Sequence, residues 1–325
     1  MTNVFIFKTA ALVATLIGCA NANLETVKLT NLYGSSTEIF LFGAHVKSFH
    51  AAMDKDLDLL FMSKCSKMDG KHPVRGGIPI VYPNFGGALK QLGAEKLPGH
   101  GFARVSNWTL VHKANSTDKK KPSVAIFKLV SSDATRKMWP FDFELKYVVK
   151  LHANALETAL HVRNTDTKPI KFHALLHNYL AVDDVRKAGV SVSGLDGVVY
   201  FDKVAKVTKK EDRKSIKIMG EIDNVYKKAP DRVTATITGV NAVDRSVVVE
   251  KSGSICSEDG KDKTTVKTDV VLWNPWDERA KTMPDFGAEE YNKMVAIEPG
   301  YVDEQFTLSA GKTFKLHQSI SVYTL

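Results

Sequence analysis

An all-β fold, a large antiparallel β-sandwich, is what this sequence predicts, and three observations carry the prediction. Phe143, Leu145, Tyr147, Val149 and Leu151 recur with period two, the spacing that a strand with one buried face requires. A second alternating stretch, Leu156, Thr158, Leu160 and Val162, follows across His152-Ala153-Asn154-Ala155, a connection short enough for an antiparallel hairpin. Elsewhere, short β-rich runs are separated by Gly, Asn, Asp and Pro with little helical periodicity, which argues for a sandwich rather than alternating βα units.

Taken in order along the chain, residues 1–22 stand apart. They carry one positive charge at Lys8, an apolar run from Ala10 to Ile17, and Ala20-Asn21-Ala22 in small-x-small form, the pattern of a secretory signal peptide. A mature chain beginning near Asn23 and secreted to the extracellular space is expected. Leu16-Ile17-Gly18-Cys19 also resembles a lipoprotein cleavage site, so a lipid anchor at Cys19 is the alternative. The run is shorter than the ~20 apolar residues of a bilayer span, and no later segment is long enough, so no membrane span is expected.

Residues 23–325 show no linker, repeat or shift of composition, and one domain is expected over them. Besides the hairpin, residues 124–130, 232–237, 246–250 and 313–316 read as strands, and residues 285–293 are the best helical candidate. The chain is 44% hydrophobic and 25% charged, which excludes disordered, collagen-like and membrane compositions. Its net charge of +9 is spread out, with clusters at Lys119 to Lys121 and from Lys203 to Lys217 that read as solvated loops. A nucleic-acid binder would gather such charge into one face with interleaved aromatics, so no nucleic-acid partner is expected. The basic surface favours anionic ligands by steering. Cys65 and Cys256 either pair in an oxidising compartment or stay as free thiols. Asn107-Trp108-Thr109 and Asn115-Ser116-Thr117 are acceptor sequons for glycosylation.

Several polar groups sit where packing alone would not put them. Arg75 stands at the edge of a Gly- and Pro-rich segment with a tightly constrained backbone, where a guanidinium can take a carboxylate or phosphate with two parallel bonds. His100 and Arg104 lie four residues apart beside Gly99 and Gly101, and His177 interrupts the apolar run Ala174-Leu175-Leu176 within what reads as a strand. Glu298 lies in Val295-Ala296-Ile297-Glu298-Pro299, where burial would raise its pKa above about 4.3. Trp273 and Trp276 offer aromatic surface for a sugar ring or else belong to the core. No HExxH, CxxC or His-x-His spacing suggests a metal, no GxxxxGK[ST] suggests a nucleotide phosphate loop, and no GxSxG suggests a serine hydrolase.

Together RGGIPIVYPNFG, LPGHGFAR, WPF before a long strand, LLHNYLAV, EIDNVY, and VVLWNPW through DFGAEEY to MVAIEPGYV resemble, in order and spacing, the glucose-6-phosphate 1-epimerases (hexose-6-phosphate mutarotases) of the aldose 1-epimerase superfamily. The resemblance runs from about Val27 to the C-terminus. It implies a galactose-mutarotase-like β-sandwich, an isomerase that acts without metal or organic cofactor, and a sugar or sugar phosphate as its partner, in a chain expected to be a monomer. By the same resemblance His177 and Glu298 are catalytic, Asp223 binds a sugar hydroxyl, Arg75 and Arg104 bind the phosphate, and His100 holds the ring or its hydroxyls. The family commonly carries Gln where this chain has Gly99, which removes one side-chain contact to substrate.

The implied chemistry is simple. Opening a cyclic hemiacetal takes the proton from the C1 hydroxyl and gives one to the ring oxygen; rotation about C1–C2 and reclosure yield the other anomer. Glu298 as base and His177 as acid, with unperturbed values of about 4.3 and 6.5, need only modest shifts to work near neutral pH. They are expected to face each other across a pocket wide enough for a pyranose, with Arg75 and Arg104 on one wall. The alternatives are an aldose 1-epimerase acting on unphosphorylated hexose and a non-catalytic secreted carbohydrate-binding protein.

Overall fold

The period-two patterns fold into strands whose apolar faces meet, and in a computed structural model residues 24–87, 97–186, 189–239, 243–257 and 263–325 are described. The segment read as a signal peptide, with Cys19, lies outside them. With strands numbered along the chain, the larger sheet has ten, in the order β14 (Ser215–Lys217), β11 (Val190–Ser193), β16 (Arg232–Ile237), β17 (Arg245–Cys256), β21 (Thr313–Thr324), β8 (Ala155–Asn164), β7 (Phe143–Leu151), β6 (Ser123–Val130) and β5 (Thr109–Ala114), and β18 (Lys263–Val266) bonds to β17 off this path. The second sheet has eight, in the order β13 (Val207–Lys210), β12 (Val199–Asp202), β15 (Ile222–Tyr226), β19 (Asp269–Asn274), β20 (Met294–Leu308), β9 (Ile170–Leu176) and β4 (Ile80–Val81), with β10 (Tyr179–Ala181) beside β20. A three-stranded sheet joins β1 (Thr26–Thr30), β2 (Ser36–Phe40) and β3 (His45–His50).

The expected hairpin is β7 and β8, paired antiparallel from Phe143 with Asn164 to Leu151 with Leu156. Its turn closes where the His152 N–H donates to the Ala155 carbonyl at 2.9 Å. The other expected strands are β6, β16 and parts of β17 and β21. Between the two large sheets lies the main core, to which β7 sends Leu145, Tyr147 and Val149, β21 sends Leu316 and Ile320, and the eight-stranded sheet sends Tyr226, Leu272 and Ile297. The other face of the eight-stranded sheet carries a smaller apolar cluster of Val81, Leu175, Val225, Val271 and Val302. Each large sheet therefore keeps one face for the core, and the eight-stranded sheet has a second face to spare.

One irregularity shapes that second face. β20 follows β9 in one register through Tyr301, opposite Ala174, and in another from Phe306, opposite Phe172. The excursion between them is held by Asp269, whose carboxylate accepts the N–H groups of Val302 and Asp303 at 2.8 and 3.0 Å.

Helices differ from expectation. Residues 285–293 form only a 3₁₀ turn, at Glu290–Lys293, because the Glu290 side chain accepts the N–H of Gly287 and of Lys64, both at 2.9 Å, and these bonds hold the segment in turns. Among the described residues two short α-helices occur instead, α1 (Asp133–Met138) and α2 (Trp276–Lys281). Ser132 and Thr135 cap α1 reciprocally. Cys65 is exposed, Cys256 is buried, and both are free thiols. Asn107 and Asn115 are both exposed.

Candidate active site

The site begins with a gap in a ladder. Leu175 pairs with Gly300 and, further on, Tyr179 pairs with Ala296; the register is unchanged across the break between β9 and β10, which sets His177 opposite Glu298. Pro299 falls opposite Leu176 and has no N–H to give, so the ladder opens there. His177 is thus not inside a strand, as its apolar neighbours suggest, but in the break. Its own N–H donates to Pro79 at 3.0 Å on the other side, toward β4, and that of Tyr179 to Gly77 at 2.9 Å.

Directly opposed residues of antiparallel strands project from the same face with their Cβ atoms about 5 Å apart. Accordingly His177 Nδ1 and Glu298 Oε2 stand 3.5 Å apart, and neither atom has a hydrogen-bond partner among the described residues although both are buried. The two groups lie side by side on a pocket floor, not across a pyranose-wide gap. That correction suits the chemistry, since the two oxygens to be served are both bonded to C1. The imidazole is fixed by stacking on Tyr179, with centroids 4.5 Å apart and planes at 6°, and by the edge of Trp273 at 5.8 Å.

Arg75 is brought in by a sharp turn at Gly76 and Gly77. A Cβ on Gly77 would lie 2.2 Å from the Val46 carbonyl oxygen, so only glycine lets the chain pass. The Arg75 guanidinium forks onto Asp285, with Nε and Nη2 each 3.1 Å from a carboxylate oxygen, and Nη1 donates to the Tyr179 hydroxyl at 3.0 Å. Arg104 sits in the 3₁₀ turn Ala103–Val105 and donates from Nη2 to the Gly99 carbonyl at 2.6 Å, while its Nε is buried without a partner among the described residues. His100, at φ 61°, lies edge-on to Phe85 and His177.

All of the residues singled out by the resemblance line one pocket of about 240 Å³: Arg75, His100, Arg104, His177, Asp223 and Glu298. The same pocket is lined by Trp273, which the sequence offered as a surface for a sugar ring, and by Phe85, Lys203, Glu221, Arg279 and Met283, which sequence reasoning did not assign to a site. Lys203 opens the turn that follows β12, but its side chain is only half-exposed: it pairs with Asp223 at 2.8 Å and lies 4.9 Å over the Phe85 ring. Of the two tryptophans only Trp273 lines the pocket; Trp276 packs on Tyr291.

Electrostatics make the floor unusual. Burial, then the Asp223 carboxylate, pushes the Glu298 carboxyl well above the usual range. Burial, then His100, Arg75 and Arg104, pushes the His177 imidazole well below its own. His100 is lowered to about 3, first by burial and then by Arg104, Lys203 and Arg75, so it is a neutral ring at physiological pH. Both shifts favour the uncharged forms, a carboxylic acid beside a neutral imidazole. Passing the carboxyl proton from Glu298 to His177 gives the ion pair, which is favoured when the surrounding cations are offset.

Comparison with known proteins follows the geometry. The aldose 1-epimerase family model matches residues 25–321. A Cenchrus ciliaris protein is 32% identical over 302 residues, covering 90% of this chain and 83% of its own. An Escherichia coli K12 protein is 30% identical over 285 residues, covering 87% and 85%. Each is named "Putative glucose-6-phosphate 1-epimerase". The crystal structure of "a putative mutarotase" from Salmonella typhimurium superposes with a TM-score of 0.74 at 27% identity, covering 90% of this chain and 88% of the other.

Proposed function

This chain belongs to the aldose 1-epimerase family, and from that premise we propose that it interconverts the α and β anomers of a hexose 6-phosphate, glucose 6-phosphate first among them. The observation that carries the reading is the buried His177 and Glu298 pair, 3.5 Å apart, in a pocket that also holds Arg104 and Arg75. Glu298 takes the proton from the C1 hydroxyl and His177 gives one to the ring oxygen; after rotation about C1–C2 the same groups act in reverse. Asp223 and His100 hold the sugar hydroxyls, and Trp273 offers its face to the ring.

The phosphate has a second use in this scheme. Arg104 and Arg75 lower the His177 pKa, so a dianion bound beside them offsets their field and favours the imidazolium. Substrate charge then moves the shared proton to the group that must donate it, an electrostatic gain realised only when the 6-phosphate is present.

A second reading, an aldose 1-epimerase of unphosphorylated sugar, is favoured by one observation: Arg75 and Lys203 already have carboxylate partners, at 3.0 and 2.8 Å. The test is anomerisation of freshly dissolved α-glucose 6-phosphate beside α-glucose, followed by NMR against the spontaneous rates. Faster conversion chiefly of the phosphate supports the proposal. Faster conversion chiefly of glucose moves the protein to the second reading, and none with either sugar sinks both. Export by the N-terminal segment is part of the same proposal, and N-terminal sequencing of the protein from culture medium, with Asn23 first, would support it.

A further inference from the structure

The alternation that sends His177 to the pocket sends its neighbour Asn178 to the core. Asn178 and Gln318 are both fully buried and form a closed amide pair: Asn178 Nδ2 donates to Gln318 Oε1 at 2.7 Å, and Gln318 Nε2 donates to Asn178 Oδ1 at 2.9 Å. The second N–H of Asn178 goes to the Ile297 carbonyl at 2.8 Å, and that of Gln318 to Thr158 Oγ1 at 3.1 Å. No amide N–H of the pair is left over. Gln318 and Thr158 belong to the ten-stranded sheet, on β21 and β8, paired directly across from one another.

Placement gives this pair its meaning. Ile297 immediately precedes Glu298, and its carbonyl faces the gap between β9 and β10. Asn178 immediately follows His177. The Asn178 side chain therefore supplies, across the gap, the cross-strand bond that the backbone ladder does not make there, and it joins the backbone just after the imidazole to the backbone just before the carboxyl. Gln318 in turn fixes the Asn178 amide from the other sheet.

We propose that Asn178 and Gln318 are positioning residues that set the distance between His177 and Glu298. They touch no substrate and act through the two strands. The proposal rests on the acid–base reading given above, but part of its test does not depend on turnover.

The decisive variant is Asn178→Leu with Gln318→Met. Replacing both partners by apolar groups of similar shape leaves neither amide orphaned, so most of the stability is kept, although the Ile297 carbonyl and the Thr158 hydroxyl lose their donors; the bond to Ile297 is lost. The expected result is a folded protein whose kcat for α-glucose 6-phosphate falls about 10- to 100-fold, the scale of a small misplacement of catalytic groups, with KM within about twofold. The His177 imidazole, followed by its ¹³Cε1 resonance against pH, should also titrate at a different pH from the unaltered protein. Gln318→Asn with Asn178→Gln, which exchanges the long and short amides, should recover part of both. If the double apolar variant does not fold, Gln318→Met alone is read in the same way. Unchanged kcat and an unchanged His177 titration would overturn the proposal. If the unaltered protein speeds neither sugar, the functional reading fails, and the His177 titration still decides whether the amide pair positions the ring.

Discussion

The two sides of the eight-stranded sheet treat buried polar groups in opposite ways. Toward the core, the Asn178 amide is bonded to Gln318 and Ile297, and Asn274 Nδ2 donates to the carbonyls of Tyr291 and Met294, both at 2.8 Å. Toward the pocket, His177 Nδ1, Glu298 Oε2 and Arg104 Nε are buried without partners among the described residues. Burying a polar atom unpaired costs about 1–3 kcal/mol, and such groups concentrate where chemistry is done. The contrast teaches that neighbouring positions of one sheet can saturate their polar atoms in packing toward the core, as Asn178 and Asn274 do, and leave them open toward a pocket, as His177 and Glu298 do.

The sharpest way to break this contrast is at the floor. Glu298→Gln and His177→Asn should each lower kcat by about 10²- to 10⁴-fold, yet melt at the same temperature as the unaltered protein or higher, since each replaces a buried ionisable group by a neutral amide. A large fall in melting temperature with activity kept would place both in the saturated class. Next comes Arg104→Met, which should raise KM for the 6-phosphate about 10- to 100-fold, the worth of a charged hydrogen bond, and leave that for glucose nearly unchanged.

The same variant sharpens the electrostatic side. The free enzyme enters the reaction with one transferable proton on the pair, so kcat/KM is lost at low pH when His177 is protonated while Glu298 keeps its proton, and at high pH when Glu298 is ionised while His177 stays neutral. Arg104 is among the cations that lower His177. Its removal raises that pKa, and the acid limb of kcat/KM should move to higher pH; a limb that stays, or moves down, contradicts the assignment. On the saturated side, Asn274→Ala should cost about 1–3 kcal/mol in urea unfolding by orphaning two buried carbonyls. The smallest effect is expected where solvent screens: Arg232→Ala, removing an exposed pair with Glu250 at 2.8 Å, should cost under about 0.5 kcal/mol.

Much of this was legible in the residues and some was not. Period two announced β7 and β8, and a glutamate in an apolar run announced a group held against its hydration. What no local pattern reveals is which distant strand lies opposite. His177 and Glu298 are 3.5 Å apart because of a register, Asp285 reaches Arg75 from the far end of the chain, and Lys203 lines the pocket because β12 pairs with β15. The helical reading of residues 285–293 failed for the same reason, since Glu290 is committed to Lys64 in a distant loop. Pro299 was the one local sign that a ladder would open, and it was visible from the start.

The excursion of β20 between Tyr301 and Phe306 acts on this sheet as a phase shifter. Phe306 and Leu308 point into the main core, and strict alternation along an unbroken strand would give Glu298 the same parity and send it inward with them. The odd number of surplus residues in the excursion reverses that parity. The carboxyl at the pocket floor thus owes its side of the sheet to a miscount a full turn of sequence away, clamped by Asp269, and any deletion there of a single residue would exchange the wet and dry faces of the strand.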